Sequence, residues 1–323
     1  MKTINIEGII NGSPIVKKCS QLIMGSGNFL RKDDREHIDR MFDTFLQVGG
    51  NTVDTAHQYG KCERRIGEWL DATGRRSELM ILTKGAHHDD GEPGPRVNPR
   101  AITKDLLESL ERLRTDYVDF YALHRDDPNV DVGLIMEVLN EHLKGGRIHA
   151  IGASNWTHDR IQEANDYAKS HGLTGFTFNS ANLSLAKCRV PRWEGCVSAG
   201  REMCEWHEGN NMPLLAWSSQ AGGFFTGRFS PDKLDDAEMV NVYYTLDNWE
   251  RYARAEKLAE QKGVSRIQIA LSYVLNQPFP TAALIGMETI EELLSSVNGI
   301  KVELSDQEIR WLDLMEGGEW IAQ

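Results

Sequence analysis

The chain reads as an α/β protein: a closed (β/α)8 barrel with an N-terminal β-hairpin and a C-terminal helix, residues 1–323 forming one domain. Three observations predict it. Short apolar, β-branched runs alternate with amphipathic stretches of helical period along almost the whole length, which implies a parallel sheet with right-handed crossovers. Eight such units in 323 residues fit a closed barrel better than an open doubly wound sheet. Finally, Gly25-Ser26-Gly27 is followed by Asn28-Phe29-Leu30, so the Gly-x-Gly-x-x-Gly turn of an open dinucleotide-binding sheet is missing.

The elements follow in order. Ile4 to Val16, turning at Asn11-Gly12-Ser13-Pro14, predicts a hairpin able to plug the barrel floor. Ser20 to Gly25 is the first barrel strand. Asp34 to Val48 carries Ile38, Met41, Phe42, Phe45 and Leu46 at helical spacing and is stopped by Gly49-Gly50. Asn51 to Ala56 is a strand, Cys62 to Leu70 a helix ending near Gly74, and Leu79 to Thr83 a strand. Asn98-Pro99 opens a helix through Leu113, proline suiting a first turn where no amide donor is needed. Val118 to Leu123 (strand), Val132 to Leu143 (helix), Ile148 to Ala153 (strand) and a helix from Thr157 to Ser170 continue the alternation. Gly175 to Asn179 and Pro213 to Ser218 are strands, Trp249 to Lys262 and Ile267 to Asn276 helices. Thr281 to Gly286 is the last strand, Thr289 to Val297 its helix, and Ser305 starts a final helix to Leu314.

Composition removes several function classes. The formal charge of −12 argues against nucleic acid or an anionic membrane as the main partner. No run approaches the roughly 18 apolar residues of a membrane span, and Met1 to Glu7 lacks the apolar core of a signal peptide. Five scattered cysteines without a Cys-x-x-Cys pair suit reduced thiols in a cytoplasmic protein.

The chemistry concentrates where strands end. Asp54 closes one strand, Tyr59 follows in a loop closed by Gly60, Lys84 ends the next strand and His124 the one after. In such barrels the carboxyl ends of strands carry the site, so an acid, a phenol, an ammonium and an imidazole should converge. That set suits proton transfer to a carbonyl oxygen. Negative charge developing on that oxygen calls for a proton, and Tyr59 can supply it. A phenol near pKa 10 working in both directions at neutral pH would need roughly a thousandfold gain in acidity, ~4 kcal/mol. An ammonium about 4 Å away at an effective dielectric near 20 supplies ~4 kcal/mol, so Lys84 is expected to depress the phenol. Asp54 would keep Lys84 charged, and His124 could donate a second bond to the developing oxyanion. A plain buried Asp54–Lys84 salt bridge with Tyr59 and His124 packed over it is the structural alternative.

On Asp54-Thr55-Ala56-x-x-Tyr59-Gly60, Thr83-Lys84, Leu123-His124, Gly152-Ala153-Ser154-Asn155 and Trp217-Ser218 followed by Gly223-Phe224-Phe225-Thr226-Gly227-Arg228, the sequence resembles the aldo-keto reductase family over nearly its whole length. The resemblance implies a TIM barrel, extended NADPH, and hydride transfer to an aldehyde or ketone. It implies that Ser154, Asn155 and Asn179 (where the family usually has glutamine) hold the carboxamide, and that Trp217, where the family usually has tyrosine, stacks on the nicotinamide. Gly25, Ser218, Gln220, Gly222 and Arg228 would also touch the coenzyme, the last four under its pyrophosphate. The adenosine segment departs from the family: Gly286-Met287-Glu288-Thr289 and Glu292 put carboxylates where a basic residue or glutamine often grips a 2′-phosphate. Carboxylates repel phosphate but accept from a ribose hydroxyl, so NADH competes with NADPH as the expected coenzyme.

Phe29, His87, His88, Trp156 and Phe224 are candidates for the substrate wall, suiting a sugar-like or a planar aromatic carbonyl alike. His87-His88-Asp89-Asp90 with Gly91-Glu92-Pro93-Gly94-Pro95 is expected to be a polar lid rather than a metal site. Two other classes stay open: a nucleotide-sensing subunit of the same fold, and a metal-dependent hydrolase using His57, His88 and His124. Substrate and oligomeric state are not legible.

Overall fold

A computed structural model describes residues 1–31, 33–88 and 95–316. Strands β1 (Thr3–Ile10) and β2 (Ser13–Ser20) form an antiparallel hairpin. Its turn places Asn11 and Gly12 at φ 51° and 76°, the left-handed geometry that matches the twist of a two-residue hairpin. The next eight strands are β3 (Leu22–Gly25), β4 (Thr52–Asp54), β5 (Met80–Gly85), β6 (Val118–Leu123), β7 (Ile148–Ser154), β8 (Phe178–Ser180), β9 (Leu214–Ala216) and β10 (Thr281–Ile285). They pair in parallel, each with its sequence neighbour, and β10 closes the barrel on β3.

Around them run α1 (Arg35–Gln47), α2 (Cys62–Thr73), α3 (Pro99–Leu113), α4 (Val132–Lys144), α5 (His158–Ser170), α6 (Arg201–Asn210), α7 (Ala237–Tyr243), α8 (Leu246–Lys262), α9 (Arg266–Leu275), α10 (Ile290–Gly299) and α11 (Asp306–Leu312). Side-chain caps set many of the starts: Asp34 accepts from His37 N, Asn98 from Ala101 N ahead of Pro99, and Thr157 from Arg160 N. Ser305 and Glu308 form a reciprocal capping box on α11.

Two apolar layers hold the fold. Inside the barrel Ile23, Leu82, Phe120, Phe178 and Leu215 merge with Ile4, Ile6 and Cys19 of the hairpin, which therefore seals the floor. The seal is close: a Cβ on Gly8 would lie 2.5 Å from the His149 carbonyl oxygen, so only glycine lets β1 approach β7. Between strands and helices lies the larger layer, with Phe42 stacked on Trp69 at 4.4 Å.

Three differences from the sequence reading stand out. Helices α6 and α7 escape it: α6 has no side-chain cap and buries only Met203 and His207, and α7 has seven residues. The strand expected at Gly175 to Asn179 runs instead from Phe178 to Ser180. Phe29, Trp156 and Phe224, expected to wall a pocket, are at most 1% exposed. Phe29 packs edge-on against Phe42, Trp156 against Phe176, and Phe224 inside a cluster with Tyr243, Tyr244 and Trp249, because large rings gain most by leaving water. Asp89, Asp90 and the rest of the expected lid to Gly94 lie outside the described residues.

Candidate active site

Asp54 ends β4, Lys84 stands one residue before the end of β5, and His124 follows β6, three neighbouring strands in register. The loop carrying Tyr59 is pinned across them: His57 N donates to the Lys84 carbonyl at 2.8 Å and Tyr59 N to the Ala56 carbonyl at 2.9 Å. The Lys84 ammonium donates to Asp54 Oδ1 and, at 3.1 Å, to the Thr55 carbonyl. It stands 5.4 Å from the centre of the Tyr59 ring, which meets the His124 ring edge-on at 5.7 Å. His87 meets the other side of His124 at 4.7 Å and His88 at 4.1 Å. Lys84 and Asp54 are buried, whereas Tyr59 keeps 36% of its surface open. The four groups converge as the strand ends suggest.

Burial dominates the electrostatics. It pulls the Lys84 amine down, but the Asp54 carboxylate and the Tyr59 oxygen push it above the usual lysine value, so Lys84 is an ammonium. The His124 imidazole is held well below its ordinary value by burial, then by the charge of Lys84, His87 and Arg125. It is neutral at pH 7, and its Nδ1 has no partner among the described residues. The expectation for Tyr59 is overturned. Its phenol lies above the ordinary value, because burial outweighs the downward pull of Lys84 and Asp54 opposes that pull. Lys84 acts as half of an ion pair, whose field falls away faster than that of a lone charge.

The model of the Aldo/keto reductase family matches residues 21–316. The chain belongs to that family. Among its relatives, norsolorinic acid reductase B of Aspergillus parasiticus is 25% identical over 321 residues, 94% of this chain and 81% of its own length. The uncharacterized oxidoreductase YrpG of Bacillus subtilis is 25% identical, covering 92% of each chain. An aryl-alcohol dehydrogenase [NADP(+)] of Phanerodontia chrysosporium is 25% identical over 87% of this chain and 76% of its own. As an aldo/keto reductase, the chain is an NAD(P)H-dependent oxidoreductase acting on carbonyl groups.

The residues expected to hold the reductase's coenzyme separate into groups. Ser154 and Asn155 stand together at the end of β7, where Asn155 donates to Ser154 Oγ at 3.2 Å and to the His124 carbonyl at 3.1 Å. Asn179 is not with them: its amide faces α6, 3.1 Å from His207 Nε2 and 3.6 Å from Met203 Sδ. Alternation along β8 is the reason, since Phe178 points into the barrel and the next such position is Ser180, not Asn179. Trp217 is half-buried, with Trp193 leaning on it at 5.8 Å. After it the backbone turns left-handed at Ser218, Ala221, Gly222 and Gly223, with the Ala221 and Gly223 amides donating to the Ser218 and Gln220 carbonyls at 2.8 and 2.9 Å. Gln220 reaches Ser296 of α10 at 3.4 Å, and exposed Arg228 donates to the Gly222 carbonyl at 3.3 Å. Gly25 pairs with Asp54, and the Gly286 carbonyl accepts from Asn28 at 3.3 Å.

At the start of α10, Thr289 caps the Glu292 amide, and the Glu292 carboxylate turns back to accept from Glu288 N at 2.7 Å. The half-buried Trp217 ring, the exposed Arg228 guanidinium and the Ser154–Asn155 pair are groups of the kind a dinucleotide engages. Two arginines also belong to this end of the barrel. Arg192 links the loop after β8 to Ser218 at 3.0 Å and to Glu238 of α7 at 2.7 Å. Arg125, next in sequence to His124, donates to the His124 carbonyl at 2.9 Å. His57, a ligand in the hydrolase alternative, instead binds Glu108 at 2.7 Å. Among the described residues no group of three or more His, Cys, Asp or Glu is placed to hold a metal, and no helix is long and apolar enough to cross a membrane.

Proposed function

We propose that this aldo/keto reductase converts an aldehyde or ketone to an alcohol, with Tyr59 giving the proton. One observation carries the reading: the phenol lies over a charged Lys84 and edge-on to a neutral His124 at three adjacent strand ends. NADPH, when bound, supplies the hydride. Tyr59, a phenol and so protonated at neutral pH, with burial raising its pKa further, delivers its proton as charge grows on the carbonyl oxygen. Lys84 stabilises the phenolate left behind, and Asp54 holds Lys84 charged and in place. His124 orients the same oxygen by hydrogen bonding.

Coenzyme contacts are assigned to Gly25, Ser154, Asn155, Trp217, Ser218, Gln220, Gly222, Arg228, Gly286, Thr289 and Glu292; Asn179 is left out. NADPH is the first expectation and NADH the second, since Glu292 lies at the adenosine end but is engaged with its own backbone. His87 and His88 remain on the substrate side. The names of two relatives, aryl-alcohol dehydrogenases, favour a planar aromatic carbonyl over a sugar. The whole chain is assigned to one domain, working in the cytoplasm, where five unpaired thiols suit a reducing medium.

Steady-state oxidation of NADPH with benzaldehyde tests the reading. Sustained turnover that vanishes in Tyr59→Phe supports it; turnover above a tenth of wild type in that variant removes Tyr59 as donor. A single slow turnover without steady state would favour the nucleotide-sensing alternative.

A further inference from the structure

Arg125 follows His124 directly and is 8% exposed. Its Nε donates to the Glu194 carbonyl at 3.2 Å and its Nη1 to the His124 carbonyl at 2.9 Å, both neutral acceptors. Among the described residues no carboxylate lies within 4.0 Å of this guanidinium. The two acids next in sequence are engaged elsewhere: Asp126 faces Arg160 at 3.5 Å, and Asp127 accepts from Asn129 at 3.0 and 3.1 Å. A buried charge is normally paired, because removing it from water costs several kcal/mol that backbone carbonyls offset only in part.

The unmatched charge reaches the catalytic groups. It acts on Tyr59, Lys84 and His124 alike, in each case favouring the less positive form. The loop after β8 lies over its stem: a Cβ on Gly195 would approach Arg125 Cδ to 3.1 Å, and Gly195 has φ 70°. Exposed Trp193 stands in the same loop against Trp217. The guanidinium is thus held next in sequence to His124 and against its carbonyl, under the loop after β8, with no carboxylate within 4.0 Å among the described residues.

We propose that Arg125 is a specificity-determining residue that receives the carboxylate of an oxo-acid substrate, an aldehyde or ketone carrying an anionic group. This rests on the carbonyl-reductase reading of the same site. A planar guanidinium matches a carboxylate in fork geometry, and the water-poor setting strengthens the contact.

The test compares 4-carboxybenzaldehyde with benzaldehyde under saturating NADPH. In wild type kcat/KM should favour the anionic aldehyde by about tenfold or more, the scale of a charge-assisted hydrogen bond. In Arg125→Met the ratio should fall toward one; Arg125→Lys, which keeps the charge without the fork, should retain part of it. A wild-type ratio near one, or a ratio that survives in Arg125→Met, overturns the proposal; so does Arg125→Met weakening NADP+ binding with no carboxylate present, because the guanidinium would then serve the coenzyme. Calorimetry of benzoate against benzamide on NADP+-loaded protein separates the two readings. Benzoate binding lost in Arg125→Met but without turnover of either aldehyde overturns the reductase reading and keeps the anion contact. Turnover of benzaldehyde with no benzoate binding does the reverse.

Discussion

Two buried acid–base groups sit at opposite ends of the same barrel and do opposite work. At the floor, Asp119 on β6 accepts from Lys17 at 2.6 Å, Arg76 at 3.0 Å and the Ile81 amide at 3.0 Å. Its capacity is consumed by partners from the hairpin, the turn before β5, and β5 itself. At the carboxyl end, Lys84 spends its bonds on Asp54 and Thr55, while Tyr59 stays 36% exposed and His124 Nδ1 has no partner among the described residues. The floor closes its charges on one another and locks strands together. The top leaves a phenol partly open to solvent and an imidazole with one nitrogen unpartnered among the described residues. In a barrel whose strands all point one way, that asymmetry separates stability from chemistry.

The largest test of the contrast lies at the top. Tyr59→Phe should cut turnover by about 10²- to 10⁴-fold, while NADPH binding by fluorescence and the melting temperature change little. At the floor the effect should invert. Asp119→Ala leaves the Lys17 and Arg76 charges without their carboxylate and should cost roughly 3 kcal/mol in urea unfolding, with folded-protein turnover within about twofold of wild type. Equal losses of activity from both variants would break the division.

Acid titration sharpens it further. Burial lowers His149 and His207 to about 4, each from the ordinary 6.5. The unfolded chain therefore binds more protons between those values, so their stabilising contribution is full above the unfolded pKa and is lost as pH falls toward 4. Asp126, raised to about 6 by burial, works the other way, since its folded form holds the proton longer. Asp54 is raised as well, but His124 and His142 are lowered too, so the histidines outnumber the raised carboxyls and the melting temperature should drop steadily from pH 6.5 to 4. Turnover should behave differently, staying flat from neutrality to about pH 9, because the raised Tyr59 phenol keeps its proton there. A rise in reduction rate on acidification through pH 7 would instead mean a phenol already partly ionised. The smallest effect belongs to Glu292. Its replacement by Ala should move the NADPH-to-NADH ratio of kcat/KM by only a few-fold, about 1 kcal/mol, because that carboxylate is exposed and turned to Glu288 N.

Much of this was legible in one dimension. Strand–helix alternation, the caps at Asp34, Asn98, Thr157 and Ser305, and the left-handed Asn11-Gly12 turn are local properties, set by residues within four positions of one another. Parallel strands then carry Asp54, Lys84 and His124 to one end without further information. Contacts across the chain decided the rest. Only β8 parity turned Asn179 toward His207, and only the helix layer buried Phe29, Trp156 and Phe224. Only the placement of Asp54 beside Lys84 blunted the field on Tyr59, and only the diversion of Asp126 and Asp127 left Arg125 without an acid. Periodicity reports which face a residue prefers; the charge and water around it depend on neighbours that only the closed barrel supplies.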